Sequence, residues 1–229
     1  MNKGLFMHPI YNYDLYIFDC DGVILDSNAL KVQAMREALS ALPFTPELIA
    51  ECVDYFANNF GKSRFHHVAH FLEYILNVEE IDRVYVEQKL LADFSNQCRT
   101  LYLTAELTPN FLEFIESLPG RKYVASGSEQ SELREVFKNR GLDLHFIKVY
   151  GSPTKKSDLI KKIISKESNA TAVMIGDAVS DFEASKSNNI DFYCYIPYSN
   201  VVERMQMLSE DNNFEVLEQW PIIINNTKV

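Results

Sequence analysis

Positive charge is scarce in this chain. Its 22 lysines and arginines face 32 acidic residues, a formal charge of -10 with a pI near 5.0. That balance excludes the basic surface on which non-specific nucleic-acid binding depends. It also repels a phosphorylated ligand at long range, so any phosphate site must bring its own local cation. Cysteine is sparse too: Cys20, Cys52, Cys98 and Cys194 form no CxxC pair and read as buried free thiols, as suits a reducing cytoplasm. With only 8 glycines and 8 prolines, and 47% hydrophobic residues, the chain is not disordered. No stretch approaches the roughly 20 apolar residues of a membrane span. Residues 1–13 hold one lysine and no sustained apolar run, so no signal peptide is expected. A soluble, cytoplasmic protein is the expectation, and 229 residues suffice for a core domain plus a smaller one.

Five short apolar runs predict strands: Asp14 to Phe18, Arg121 to Ala125, His145 to Val149, Thr171 to Ile175 and Asp191 to Tyr195. Nearly continuous apolar character predicts strands covered on both faces. Helical patterns separate the later runs, at Glu129 to Asn139 and Ser157 to Lys166. Alternation of this kind predicts an α/β fold with a parallel sheet and right-handed crossovers. Between Asn28 and Thr108 the pattern is helix after helix: Leu30 to Leu39, Pro46 to Ala57, Phe65 to Leu76 and Asp82 to Tyr102. An inserted all-α lobe follows from this, residues 28–108, on a core of residues 1–27 and 109–229. Beyond Pro197 a helix is expected over Val201 to Ser209, and the patch Trp220-Pro221-Ile222-Ile223-Ile224 should dock on the core.

Candidate chemistry falls at the carboxyl ends of the strands, where open α/β sheets place ligands. Asp19-Cys20-Asp21-Gly22-Val23 follows the first strand and sets two carboxylates close together. Such a pair opposes folding unless a cation or substrate uses it; the plainer reading is an Asx turn. Ser126-Gly127-Ser128 follows the second strand, with small residues that let backbone amides approach an anion, or with a simple helix N-cap. Lys155-Lys156 opens a helix, where a lysine opposes the macrodipole. Lys156 is the choice for a phosphate-binding cation, with Lys155 as its rival. Gly176-Asp177-Ala178-Val179-Ser180-Asp181 follows the fourth strand. Capping accounts for one of its aspartates, not for the pair. With Asp19 and Asp21, four carboxylates converge in this reading, a donor set for a hard cation such as Mg²⁺.

In their order these motifs resemble those of the haloacid dehalogenase superfamily of phosphotransferases. The resemblance spans about residues 14–196: Asp19 to Val23 match the first motif, Ser126 the second, Lys156 the third, and Gly176 to Asp181 the fourth. The third match is looser, because relatives often place the lysine before a proline-containing stretch that is missing here. The helical insertion is similar to the type-I cap of the phosphoglycolate phosphatase and β-phosphoglucomutase branch. That branch implies a doubly wound sheet of strand order 5-4-1-2-3 and a cap that reads the substrate. Here Lys62, Ser63 and Arg64 supply a cationic stretch: Arg64 could grip a carboxylate or second phosphate, or the segment is a solvated loop with Ser63 as N-cap.

The resemblance implies Asp19 as nucleophile, Asp21 as acid/base, Ser126, Gly127 and Lys156 around the phosphate, and Mg²⁺ held by Asp19, Asp21, Asp177 and Asp181. A phosphatase acting on a small phosphate monoester, as monomer or homodimer, is the expected function, with a sugar phosphomutase as alternative. A receiver-type signalling domain is shorter and lacks a helical lobe. A non-catalytic protein of this fold would have no use for four filled motifs.

Overall fold

The computed structural model describes residues 7–167 and 169–222. Six parallel strands form one sheet: β1 (Leu15–Phe18), β2 (Arg121–Glu129), β3 (Lys148–Ser152), β4 (Ala172–Gly176), β5 (Asp191–Tyr195) and β6 (Glu215–Leu217). Their order is β3-β2-β1-β4-β5-β6. Read from the other edge, the first five strands have the order 5-4-1-2-3 that the family resemblance implies. β6 extends the sheet beyond β5; three residues starting on an exposed glutamate carry too little apolar pattern to announce a strand.

β1 shows how the layers arise. Its four residues are fully buried and alternate in direction, Leu15 and Ile17 toward one face, Tyr16 and Phe18 toward the other. The first face packs under α7 (Lys156–Ile164), α8 (Val179–Ser187) and α9 (Val202–Asn212), through Ile160, Phe182 and Met205. The second packs under α5 (Phe111–Ser117) and α6 (Gln130–Asn139), through Phe114 and Phe137. Both faces are covered, as an all-parallel sheet requires.

Four helices fill the segment between β1 and α5. They are α1 (Asn28–Ser40), α2 (Pro46–Asn58), α3 (Arg64–His70) running into a π-type turn at Phe71–Ile75, and α4 (Glu80–Thr104). Thr45 caps α2 and Pro46 opens it, a start legible in the sequence. Val86, Leu90, Phe94, Cys98 and Tyr102 form the buried stripe of α4 at four-residue spacing. The apolar interior of this lobe is continuous with the cluster under α5 and α6. The two passages of chain that lead into and out of the lobe meet in a bridge between Leu25 and Leu107.

One strand lies later than expected. His145 belongs to a 3-10 turn, Leu142–His145, and β3 runs from Lys148 to Ser152. Phe146 plugs the core against Phe18 and Phe137 before the strand begins, while Leu144 and Ile147 are exposed. An apolar run is thus divided between a turn and a strand. The four cysteines are free and buried, as expected.

Trp220 docks as the sequence suggests, while Ile223 and Ile224 lie outside the described residues. Its indole is sandwiched between Tyr195 and Phe114, with ring centroids 3.9 and 4.6 Å away. Nε1–H donates to Thr108 Oγ1 at 3.1 Å, and that hydroxyl donates to the Val23 carbonyl at 2.7 Å. One side chain therefore joins the tail, the sheet and both linkers of the helical lobe. Trp220→Ala should lower the unfolding free energy by about 3–5 kcal/mol, the range for emptying a buried aromatic site. Urea unfolding measures it; a loss below about 1 kcal/mol would show the stack to be peripheral.

Candidate active site

β1 ends at Phe18, and the next amide, Asp19 N–H, donates to the Ile175 carbonyl at 2.9 Å, fixing the nucleophile candidate beside the end of β4. Gly22 then turns the chain back with φ +73°, a conformation that L side chains rarely adopt. A Cβ there would also strike the Asn28 amide and the Asp177 carboxylate. This glycine is what lets the Asp19 loop and the Asp177 loop lie against each other.

Asp19, Asp177 and Asp181 are all buried, and one carboxylate oxygen from each lies within 4.8 Å of the others. Lys156, at the start of α7, reaches in from the third loop. Its Nζ is 2.9 Å from Asp19 Oδ1 and is also paired with Asp181. Asp181 is held by its own loop: Oδ2 accepts the amides of Asp177 and Ala178, each at 3.1 Å. Asp177 accepts the Asn28 side-chain amide at 2.6 Å. Burial, with Asp181 and Asp21 nearby, pushes Asp19 up to about 7 against the opposing pull of Lys156. Burial beside Asp181 and Asp19 likewise raises Asp177 well above the usual carboxylate range. Three buried carboxylates share one lysine, an excess of negative charge that a divalent cation fits by charge and by its preference for oxygen ligands.

Asp21 faces another way, and its carboxylate does not join the other three. Its oxygens accept from Ser27 Oγ at 2.7 Å, Lys31 Nζ at 2.9 Å, Ser128 Oγ at 2.8 Å and Tyr102 OH at 3.0 Å. The expectation of four converging carboxylates is corrected here. The first and third acids of the motif part because the helical lobe supplies the third with its own lysine and the Tyr102 hydroxyl, to which the core adds the hydroxyls of Ser27 and Ser128. Burial alone would raise Asp21, but Lys31 and the hydroxyls of Ser27 and Ser128 outweigh it and hold the carboxyl below its ordinary value.

β2 continues through the Ser126-Gly127-Ser128 segment, with a register irregularity between Ala125 and Glu129, instead of stopping before it. Ser126 is buried, and its Oγ accepts the Ser128 amide at 3.1 Å. A Cβ on Gly127 would come within 2.5 Å of the Gly61 carbonyl, so the loop of the helical lobe seats directly on this residue. Ser180 Oγ donates to the Phe60 carbonyl at 2.9 Å and holds the same loop from the other side. The lobe is thus closed over the strand ends. A cavity of about 20 Å³ remains, walled by Asp19, Asp21 and Ser128 below and by Lys31, Arg64 and His67 above.

The three lobe candidates differ in placement. Arg64 is buried and forked onto Glu132 of α6, with Nη1–Oε1 3.0 Å and Nη2–Oε2 2.7 Å. Ser63 caps α3 by accepting the His66 amide at 3.2 Å. Lys62 is exposed and donates to Asn59 Oδ1 at 3.2 Å. Lys155 is exposed, whereas Lys156 is buried among the acids. Lys31, Tyr102 and Asn28 were not anticipated from the sequence. A signal existed for the first: Lys31 shares the buried stripe of α1 with Ala34, Met35 and Ala38, and a lysine on such a stripe needs a buried partner.

Among solved structures, a β-phosphoglucomutase from Clostridium difficile superposes with a TM-score of 0.63 at 16% identity, over 91% of this chain and 92% of that one. A predicted phosphatase from Clostridium acetobutylicum gives 0.68 at 17% identity, over 89% and 93%. A predicted phosphoglycolate phosphatase from Haemophilus somnus gives 0.61 at 16% identity, over 80% and 85%. These likenesses establish a shared fold. No curated protein matches the chain in sequence. The family model described as haloacid dehalogenase-like hydrolase, however, matches residues 13–189, a span that contains all four strand-end loops. By that match, over most of its length, this chain belongs to the haloacid dehalogenase-like hydrolases.

Proposed function

We propose that the chain is a Mg²⁺-dependent phosphatase that hydrolyses a small phosphate monoester, a phosphoglycolate-like acid or a sugar phosphate, through an aspartyl-phosphate on Asp19. The observation that carries this reading is the division of the two motif aspartates. Asp19 sits against Lys156 and the acids Asp177 and Asp181, while Asp21 is bound separately by Lys31, Ser27, Tyr102 and Ser128.

Asp19 attacks phosphorus, a P–O bond forms to its carboxylate, and the bond to the leaving alcohol breaks. Asp21 gives a proton to the departing oxygen and in the second step takes one from the water that hydrolyses the acyl-phosphate. Its ionised form, favoured by Lys31 in the free protein, suits that second step, and the negative phosphoryl group of a bound substrate favours the protonated form that the first step needs. Lys156, Ser126 and the amide of Gly127 bind the equatorial phosphoryl oxygens, where charge stabilisation contributes most to phosphoryl transfer. Asp19, Asp177 and Asp181, with the main-chain carbonyl of Asp21, would hold Mg²⁺, which when bound neutralises carboxylate and phosphoryl charge. Residues 28–108 act as a cap on the core of residues 1–27 and 109–229, opening to admit substrate and closing to exclude water. The enzyme works in the cytoplasm; no helix among the described residues is long and apolar enough to cross a membrane.

The tight closure also suits a phosphomutase, which must keep water from the acyl-phosphate. Conversion of a sugar phosphate to its isomer without phosphate release would favour that alternative.

Asp19→Asn should reduce phosphate release from an aryl phosphate to background, a loss of at least about 10³-fold, with an unchanged circular dichroism spectrum. Turnover surviving the change would refute the nucleophile. Excess chelator should silence the wild-type protein and added Mg²⁺ should restore it. Undiminished phosphate release in chelator would remove the metal from the reaction.

A further inference from the structure

The upper wall of the closed cavity contains two buried cations, and each already holds a buried carboxylate. Lys31 Nζ is 2.9 Å from Asp21, and the Arg64 fork is filled on both tines by Glu132. Glu132 is pinned a second time by the hydroxyl of Ser95 on α4. Lys156 is engaged below with Asp19 and Asp181. Lys62 remains at the exposed rim, turned to Asn59. A leaving group carrying a second negative charge would therefore have to reach out to Lys62 at the rim, or take a cation from a buried carboxylate and leave that acid unpaired. Removing one partner of a buried pair is strongly unfavourable.

The same wall offers a neutral polar group that is not engaged. His67 is 1% exposed, lines the cavity, and its Nδ1 has no hydrogen-bond partner. Its ring is packed edge-on against Phe56, with centroids 4.7 Å apart, and Phe60 and Phe94 complete an aromatic collar. Burial pushes the imidazole well below its ordinary value, so the ring is uncharged. A buried, unpaired ring nitrogen is uncommon and calls for a partner. A hydroxyl supplies one without introducing charge, and the C–H faces of a polyol pack against the phenylalanine rings.

Given the phosphatase reading above, we propose that the leaving group is a small, neutral, hydroxyl-bearing alcohol (a short polyol or a sugar) and that His67 is the specificity-determining residue that meets its hydroxyl. Glu132 then acts as the element that rejects anions: by occupying Arg64 it withdraws the guanidinium from a carboxylate or second phosphate.

The test compares kcat/KM of the Mg²⁺-loaded protein for p-nitrophenyl phosphate, glycerol phosphate and phosphoglycolate. Glycerol phosphate should exceed phosphoglycolate by about tenfold or more, because a site that hydrogen-bonds a hydroxyl discriminates strongly against substrates that leave its polar groups unpaired. Glu132→Gln should shrink or invert that ratio by freeing Arg64. His67→Phe should raise KM for glycerol phosphate relative to the aryl ester. Binding of the two physiological-type esters to the Asp19→Asn protein, by calorimetry, should show the same preference without turnover. Aryl phosphate turnover accompanied by equal or greater activity on phosphoglycolate overturns the charge argument alone. Absence of turnover on all three esters overturns the phosphatase reading and this inference with it. A Glu132→Gln ratio equal to that of the wild type, in protein with an unaltered circular dichroism spectrum, also overturns it.

Discussion

Mutual repulsion among acids in a dry place is the constraint around which this molecule is arranged. The sheet brings Asp19, Asp177 and Asp181 within 4.8 Å of one another, out of water, beyond the carboxyl ends of the two central strands β1 and β4. Low dielectric strengthens their repulsion and removes the solvent that would screen it. The structure answers with separate partners for separate acids. Lys156 serves Asp19 and Asp181, Lys31 serves Asp21, and Asn28 donates to Asp177. Two of these partners, Lys31 and Asn28, come from the first helix of the inserted lobe. The lobe therefore completes the electrostatics of the core as well as covering it.

Closure depends on small residues as much as on charge. Gly127 lets the Gly61 carbonyl seat on β2, and the Ser180 hydroxyl holds the adjoining Phe60 carbonyl. On the far side Arg64 and Glu132 join α3 to α6, and the Arg140 guanidinium donates to the Tyr102 carbonyl at 2.8 Å. Buried ion pairs of this kind add little net stability, since desolvation offsets attraction. They do define one docking geometry, because a shifted lobe would strand a charge. Hydrophobic continuity between lobe and core supplies the attraction, and the polar pairs select the register.

Much of this was legible in the primary structure for a physical reason. Strands buried on both faces must be apolar throughout, so β1 and β4 are plain runs ending at acids that no strand interior would tolerate. Lys156 was readable because a lysine at a helix start opposes the dipole. Where the local pattern failed, a distant contact had decided the matter. Phe146 fills a hole made by Phe18 and Phe137, which displaces β3 toward its glycine and serine. β6 exists because β5 offers an open edge. Arg64 looked free in the sequence because its partner Glu132 stands 68 residues away on another element. The turn of Asp21 away from the other acids was invisible for the same reason, since Lys31 and Tyr102 approach it from two different helices.

The tail stack has a bearing on the order in which this protein is made. Trp220, the only tryptophan, ties Thr108 and, through it, Val23, so the two linkers of the helical lobe are fastened by a residue 112 positions further along the chain than Thr108. During synthesis the lobe emerges early, long before its anchor exists. A nascent chain must then hold its inserted helices on an unsecured hinge until elongation has passed Trp220. A chain cut short before Trp220, at a point remote in sequence from every acid of the site, would leave that hinge without its clasp.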